Sequence, residues 1–501
     1  MDNTTLKKAA LIHMLLGYVN YGLTLIQAIL LVPLYLSYIG AAQYGLWLAT
    51  GGILGWLSFL DMGLSSVTLQ RVGRSLGGKD GVIAGSYFGT GYMLHVGLMS
   101  ITIIISVPVM FFVLPLLDGV GQDLQLIRRC FFLATIGFAL SSIANTLIGI
   151  GQAAQKTLVP GVVNNLSTAA GIVFIWYGLN KGWGLYSIPC GTILRGLILN
   201  VFLLPYGRKL IQREGGHQRF DKAAFTDLAK LSPFTFISKF GNGIVQNAEP
   251  LFLGIFVGPE VVVVYVLTNR AAQLLTGIVN RVTGSLFGPL SHISGDDNLI
   301  RAQQAFFKSM GLLVILSIMA AFFYSALNWG FVSLWVGPER FGGNVLTVGF
   351  ALVLIQAVIA NALGFFLGAF GDIGRPNIYI FIESVNRVIL ISIFAFSGSV
   401  QYIPYAVYCS LLVLSIALIR RVCKLFGLIP KHFIVVAFWY LVLVSSTPLI
   451  AFLGSRSQIS NWYALLSNSI LVGAVVIVGV GLFGFLLWKF KIQNSVFLKR
   501  E

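Results

Sequence analysis

Long apolar stretches separated by short polar segments recur along the whole chain. A membrane-spanning helix needs about 20 predominantly apolar residues, and fourteen runs meet that condition: 10–39, 44–70, 83–116, 129–151, 157–179, 183–206, 231–258, 261–290, 305–334, 344–370, 376–398, 401–424, 431–453 and 463–488. The one long polar interruption is YGRKLIQREGGHQRFDKAAFTDLAK, residues 206–230. Its basic, glycine-containing composition suits a linker between two six-helix halves. The pattern predicts an all-α polytopic membrane protein of about 14 transmembrane helices. It divides into a six-helix lobe over 1–206, a cytoplasmic basic linker over 207–230, a second six-helix lobe over 231–425, and two additional helices with a basic tail over 426–501. The first run is too long for the apolar region of a signal peptide and lacks a small-residue cleavage pattern, so it reads as a retained helix.

Composition agrees with this pattern. Of 501 residues, 57% are hydrophobic and 10% charged, against about 25% charged in soluble domains. A water-facing fold of this size would lack polar surface. Four cysteines, Cys130, Cys190, Cys409 and Cys423, lie far apart without CxxC spacing, so free thiols are expected and no metal site. Lys and Arg in short loops stay on the cytoplasmic side. With a cytoplasmic N-terminus, most of the 33 Lys and Arg fall in inside segments, and an even helix number puts both termini there. The net charge of +17 then reflects topology, and no nucleic-acid partner is needed to explain it.

A weak repeat relates the halves. YIGAAQYGLW (38–47) matches FVGPEVVVVY (256–265), and GIGQAAQKTLVPGVV (149–163) matches GAFGDIGRPNIYIFI (368–382), at offsets of 218 and 219. Halves with even helix numbers run in the same direction, related by an axis along the membrane normal, and such lobes enclose a substrate path.

Charges inside the runs carry the chemistry. One charge at the centre of a spanning helix costs roughly 2.5–3.5 kcal/mol on insertion scales, so such groups face protein or water. In the eighth run Asn269, Arg270, Gln273, Thr276, Gly277, Asn280, Arg281 and Gly284 recur at spacings of three and four and form one stripe. Arg270 is a candidate cavity-lining cation, and Arg281 lies nearer the cytoplasmic end, where snorkelling is an alternative. The seventh run crowds Lys239, Asn242, Gln246, Asn247 and Glu249 around Gly241, Gly243 and Pro250. This is either a helix that bends or unwinds beside a wet cavity or a static kink with satisfied polar groups. Arg195 sits in the sixth run without a neighbouring carboxylate, a further cavity candidate. Glu383 and Arg387 stand at i and i+4 in the favourable orientation, where local neutralisation explains them as well as a functional role does. Asp61, in SFLDMGLSSVTLQRVG, is open to three readings: a protonatable site, a partner for a cavity arginine, or a helix-packing polar group. Within the runs, Arg195, Lys239, Arg270, Arg281 and Arg387 outnumber Asp61, Glu249 and Glu383. That excess suits a phosphate or pyrophosphate cargo, which guanidinium forks bind bidentately, over a cationic one.

PLYLSYIGAAQYGLW, LDMGLSSVTLQRVG, NRAAQLLTGIVNRVTGSLFGPLSHISG and GAFGDIGRPNIYIFIESVNRVI, in that order, resemble the polysaccharide-transporter branch of the multidrug/oligosaccharidyl-lipid/polysaccharide (MOP) flippase superfamily, which includes O-antigen flippases of the Wzx type. The likeness covers roughly residues 10–425. It implies two six-helix lobes in a V, alternating access, and transport of an undecaprenyl-diphosphate-linked sugar unit from the inner to the outer leaflet of a bacterial inner membrane. Arg270, with Lys239 and Arg281, would meet the diphosphate. Membrane lipids and other polysaccharide-assembly membrane proteins would be its further partners. Proton or sodium coupling through Asp61 or Glu249 fits the same picture, with Asn242, Gln246, Asn247 and Gln273 as cavity polar groups and no cofactor. The rival classes are a polytopic polymerase or ligase and a drug/cation antiporter. The first needs acids, bases or a nucleophile in a sizeable outer loop, and the longest outer segment is LDGVGQDLQLIRR (117–129). No catalytic residue is assigned. No GxxxxGK[ST] motif is present to suggest direct ATP drive.

Overall fold

In hydrocarbon each unsatisfied backbone group costs several kcal/mol, and a helix satisfies them within one segment. The apolar runs accordingly form helices in the computed structural model. It describes residues 3–426 apart from 62, 118–120, 295–298 and 373, together with 447, 450–452, 461–465 and 467–470. The helices are α1 (Asn3–Tyr38), α2 (Ala41–Leu57), α3 (Leu64–Gly77), α4 (Gly81–Phe112), α5 (Leu124–Ala153), α6 (Leu158–Asn180), α7 (Ser187–Arg213), α8 (Lys222–Phe256), α9 (Pro259–Ser294), α10 (Leu299–Val336), α11 (Gly343–Ala369), α12 (Gly374–Phe396) and α13 (Ile403–Phe426). No strand occurs among the described residues, and ten of their helices are long and apolar enough to cross a membrane. The protein is an all-α polytopic membrane protein. The runs at 431–453 and 463–488 lie largely outside the described residues.

The run 44–70 does not form one helix. It breaks into α2, a 3-10 turn at Ser58–Asp61, and α3. Gly63 takes φ +70° just before α3, a left-handed conformation that costs glycine nothing sterically. Beyond it α3 is amphipathic, burying Leu64, Val67, Thr68 and Val72 while carrying Arg71 and Arg74. The seventh run, by contrast, is one continuous helix through Pro250, with no unwound segment.

The chain divides into two compact units, Met1–Val263 and Val264–Glu501. In the first, α5 packs on α7 and α4, and α6 on α7. In the second the same steps recur, α11 against α13 and α10, and α12 against α13. The division falls after α8 because α8 packs along α2, with smaller contacts to α3 and α4. Its first turns are fixed by Asp227, which lies 2.7 Å from the Arg71 guanidinium and accepts from the Tyr87 hydroxyl at 3.0 Å. In the second unit Phe306, Phe366, Phe370 and Phe426 stack as a cluster joining α10, α11 and α13, with Phe306 and Phe366 centroids 4.5 Å apart.

Of the basic stretch 207–230, only 214–221 lies outside helices, and it is docked on α4. Gly81, Gly85 and Gly89 form a stripe one turn apart. A Cβ added at each would sit 1.6 Å from Glu214 O, 2.4 Å from His217 O and 2.2 Å from Arg219 O. Arg219 Nε donates to Ser86 Oγ (3.0 Å) and Asp221 N to Thr90 Oγ1 (2.8 Å). Asp221 then caps α8 by accepting from Ala224 N at 2.9 Å. Gly89→Val is expected to lower the thermal midpoint of the purified protein, because backbone cannot swing aside; overpacking of this kind costs about 1–3 kcal/mol. A Cβ added at Gly97 on the same helix meets nothing within 4 Å, and Gly97→Val should leave the midpoint nearly unchanged. Equal midpoints for the two variants would show that the stripe does not hold the strap.

Candidate functional site

Each unit contains a cluster of polar side chains. In the first unit the break between α2 and α3 places Asp61 at a helix end, with its side chain 14% exposed, beside the fully buried His95 of α4. His95 Nε2 lies 3.1 Å from Asp61 Oδ1 and 3.1 Å from Ser142 Oγ. His95 Nδ1 lies 2.7 Å from Thr146 Oγ1 and 3.2 Å from Ser65 Oγ. Thr146 bonds Ser65 at 3.2 Å, and Ser65 bonds Asp61 at 3.3 Å. Fourteen residues from the start of α4 place His95 about 21 Å along that helix, well inside the Gly81–Leu116 span. Among the three readings of Asp61, the geometry gives it a titratable partner.

Arg195 of α7 is half-buried. Its Nη2 donates to Asn164 Oδ1 of α6 at 3.3 Å, while Nε is buried without a hydrogen-bond partner among the described residues. Glu249 of α8 is half-buried. The side chains of Lys239, Asn242, Gln246 and Asn247 lie outside the described residues.

In the second unit the polar stripe of α9 is its open face. Thr268, Ala272, Val279 and Thr283 are buried, whereas Arg270, Thr276 and Asn280 are half-buried and Gln273, Arg281 and Gly284 exposed. Arg270 and Arg281 therefore share one face, as their spacing of eleven requires. Asn280 is held by Asn361 Nδ2 at 2.9 Å. Arg270 Nε is buried with no hydrogen-bond partner, and Arg270 belongs to none of the ion pairs among the described residues. Its position is set two residues earlier. The Thr268 carbonyl accepts from Tyr324 Oη (2.8 Å) and Asn328 Nδ2 (3.3 Å), and Thr268 Oγ1 accepts from Gly342 N (2.8 Å). Asn328 also donates to Thr347 Oγ1 at 3.1 Å. This buried knot ties α9, α10 and α11 together beside the cation.

Glu383 and Arg387 form the pair their spacing suggests, with Arg387 Nη2 2.7 Å from Glu383 Oε1, the Arg387 side chain 13% and the Glu383 side chain 6% exposed. Arg387 is thereby neutralised, while Arg270 and Arg195 have no such carboxylate among the described residues. Sequence reasoning did not single out His95, Ser65, Ser142 or Thr146, nor Asn164, Tyr324 and Asn328. The one available signal was a histidine within the otherwise uncharged run 83–116.

No protein-family model and no curated protein matches the chain. Solved structures do. Lipid II flippase MurJ in an inward closed conformation superposes with a TM-score of 0.69 at 13% identity, covering 98% of this chain and 100% of that one. An inward-facing multidrug resistance MATE family transporter of the MOP superfamily gives 0.67 at 13% identity, over 86% and 98%. A MOP superfamily transporter from Pyrococcus furiosus, described as having a binding pocket of reversed polarity that suggests a different function, gives 0.62 at 13% identity, over 88% and 96%. The charged and hydrogen-bonded groups described above are thus set in a multi-pass membrane protein that has the fold of MOP superfamily transporters.

Proposed function

We propose that this protein is a flippase that moves an undecaprenyl-diphosphate-linked oligosaccharide, an O-antigen unit or similar surface-polysaccharide repeat, from the cytoplasmic to the outer leaflet of a bacterial inner membrane. It does so by alternating access coupled to protons or sodium. The observation that carries this reading is Arg270, eleven residues and about 16 Å into α9, with a buried Nε that no group among the described residues satisfies. A guanidinium kept in a membrane without a carboxylate is costly unless a ligand or water meets it. A diphosphate offers the planar, doubly charged oxygens that its fork fits. A cationic drug would instead be repelled. Coverage supports the same reading: alignment with the lipid II flippase takes in nearly the whole chain, whereas the MATE transporter leaves 14% unmatched.

The polymerase or ligase alternative is disfavoured by the outer segment between α4 and α5. Its described residues form short 3-10 turns, and Asp123 there is held by Gln43 Nε2 at 3.0 Å. The decisive measurement is the leaflet in which intact lipid-linked glycan accumulates when the chain is deleted. A flippase defect strands it on the cytoplasmic side. Accumulation of unpolymerised units on the outer side would reject transport in favour of assembly.

A further inference from the structure

The end of the first unit that carries the strap turns its cations outward. On the exposed face of α7 the apolar Leu197, Val201 and Phe202 give way within two turns to exposed Arg208, Lys209 and Arg213. A change from lipid-facing hydrocarbon to cations over so short a distance marks the headgroup layer. The strap lies at that level. Gly207 is set against Phe88 of α4, where an added Cβ would be 3.5 Å from the ring Cζ, and Arg219 engages Ser86 of the same helix. Two guanidinium groups are held there through Nε: Arg208 Nε donates to Gln218 Oε1 at 2.6 Å, and Arg219 Nε to Ser86 Oγ at 3.0 Å. Because Gln218 and Arg219 are consecutive, the strap brings both arginines to one place, and both stay exposed. The nearby carboxylates are used by the fold. Asp80 and Asp221 cap α4 and α8, and Asp227 pairs with Arg71. Among the described residues of 206–230, Glu214 is the one exposed acid, against exposed Arg208, Lys209, Arg213, Arg219, Lys222 and Lys230.

Two phenylalanines stand among these charges. Phe220 is 54% and Phe225 38% exposed, with ring centroids 6.0 Å apart. Phe220 precedes the cap residue Asp221 and Phe225 is the fourth residue of α8, the positions of a hydrophobic staple. A staple explains why the rings meet, but not why both stay open beside exposed cations at the edge of the hydrocarbon. We propose that the strap and the first turn of α8 form a binding site for an anionic phospholipid of the surrounding bilayer. Arg208 and Arg219 meet its phosphate with their guanidinium forks. Lys209, Arg213 and Lys222 add attraction toward a negatively charged leaflet, and Phe220 with Phe225 rest on the upper part of an acyl chain. A free phosphate would engage the arginines and leave the rings uncovered, while a second copy of this surface would set like charges against each other. Because the same strap sets the start of α8, the bound headgroup also holds that helix in place.

The site involves the bilayer alone, so it stands or falls independently of the flippase reading. Full-length protein with p-benzoylphenylalanine in place of Phe220 is purified into nanodiscs of mixed phosphatidylcholine and phosphatidylglycerol, without cargo, and irradiated. Its adducts are identified by mass spectrometry. Phosphatidylglycerol is expected among them in excess of its share of the bilayer, and inorganic phosphate in the buffer should leave that excess unchanged. Combining Arg208→Gln with Arg219→Gln is expected to return the adducts to the bulk lipid ratio. A second variant keeps both strap arginines and their hydrogen bonds: Lys209→Gln, Arg213→Gln and Lys222→Gln together, all at exposed positions, are expected to lower the excess by up to about fivefold per cation at low ionic strength. Adducts in proportion to the bulk lipid, an excess that inorganic phosphate removes, an excess untouched in both variants, or cross-links between two copies of the chain in place of lipid would each overturn the proposal.

Discussion

Replacing Arg270 with Ala is expected to abolish surface polysaccharide while leaving the amount of chain in the membrane unchanged. Among the described residues its Nε makes no hydrogen bond and Arg270 joins no carboxylate, so truncation breaks no ion pair there. The loss falls on the cargo. One bidentate, charge-assisted contact contributes about 1.5–3 kcal/mol, and every 1.4 kcal/mol is roughly tenfold in affinity. Arg270→Lys should keep part of the function, because it supplies a charge without the planar fork. Export is read by gel analysis of surface glycan, and membrane content by immunoblot. Normal export by both the Ala and Gln variants would reject the role assigned to Arg270.

The opposite outcome is expected at Glu383. Glu383→Leu leaves Arg387 in a span with no carboxylate, and a guanidinium cannot shed its charge. Breaking a buried pair in this way costs about 3–5 kcal/mol. Arg387→Met should be milder, since an orphaned carboxyl can take up a proton. The double variant, which removes both charges and refills the volume, should approach the natural protein in thermal stability. A double-mutant cycle on the detergent-purified protein measures this. If Glu383→Leu and the double variant melt together, the 2.7 Å pair contributes nothing to the fold. Two arginines with similar hydropathic surroundings are thus predicted to differ, one acting on cargo and the other on stability.

That difference was only half legible in the sequence. The i, i+4 spacing of Glu383 and Arg387 is local, and a helix turns such spacing into contact directly. The α9 stripe was legible for the same reason: a period of three and four residues becomes a face whatever the helix packs against, and the open and buried residues of α9 follow it. The break at 58–63 was not, because small and weakly polar residues are scattered through the whole run 44–70, Ser58, Ser65, Ser66 and Thr68 among them, and nothing local marks Asp61 and Gly63 as the point where one helix ends and the amphipathic α3 begins. The docked strap was hidden as well. Glycines four apart on α4 signal close approach without naming what approaches, and here it is the backbone of 214–219.

Sequence alone determined that the chain spans a membrane many times as helices, since hydrophobic length and the need to satisfy backbone groups are local, additive requirements. It also determined which turn of a helix bears a cation. Tertiary structure decided what each charge is for, because pairing depends on groups far apart in the chain meeting in space. It brought His95 to Asp61 across 34 positions and Asn164 to Arg195 across 31, left Arg270 without a carboxylate among the described residues, and fixed the start of α8 through a strap laid on α4.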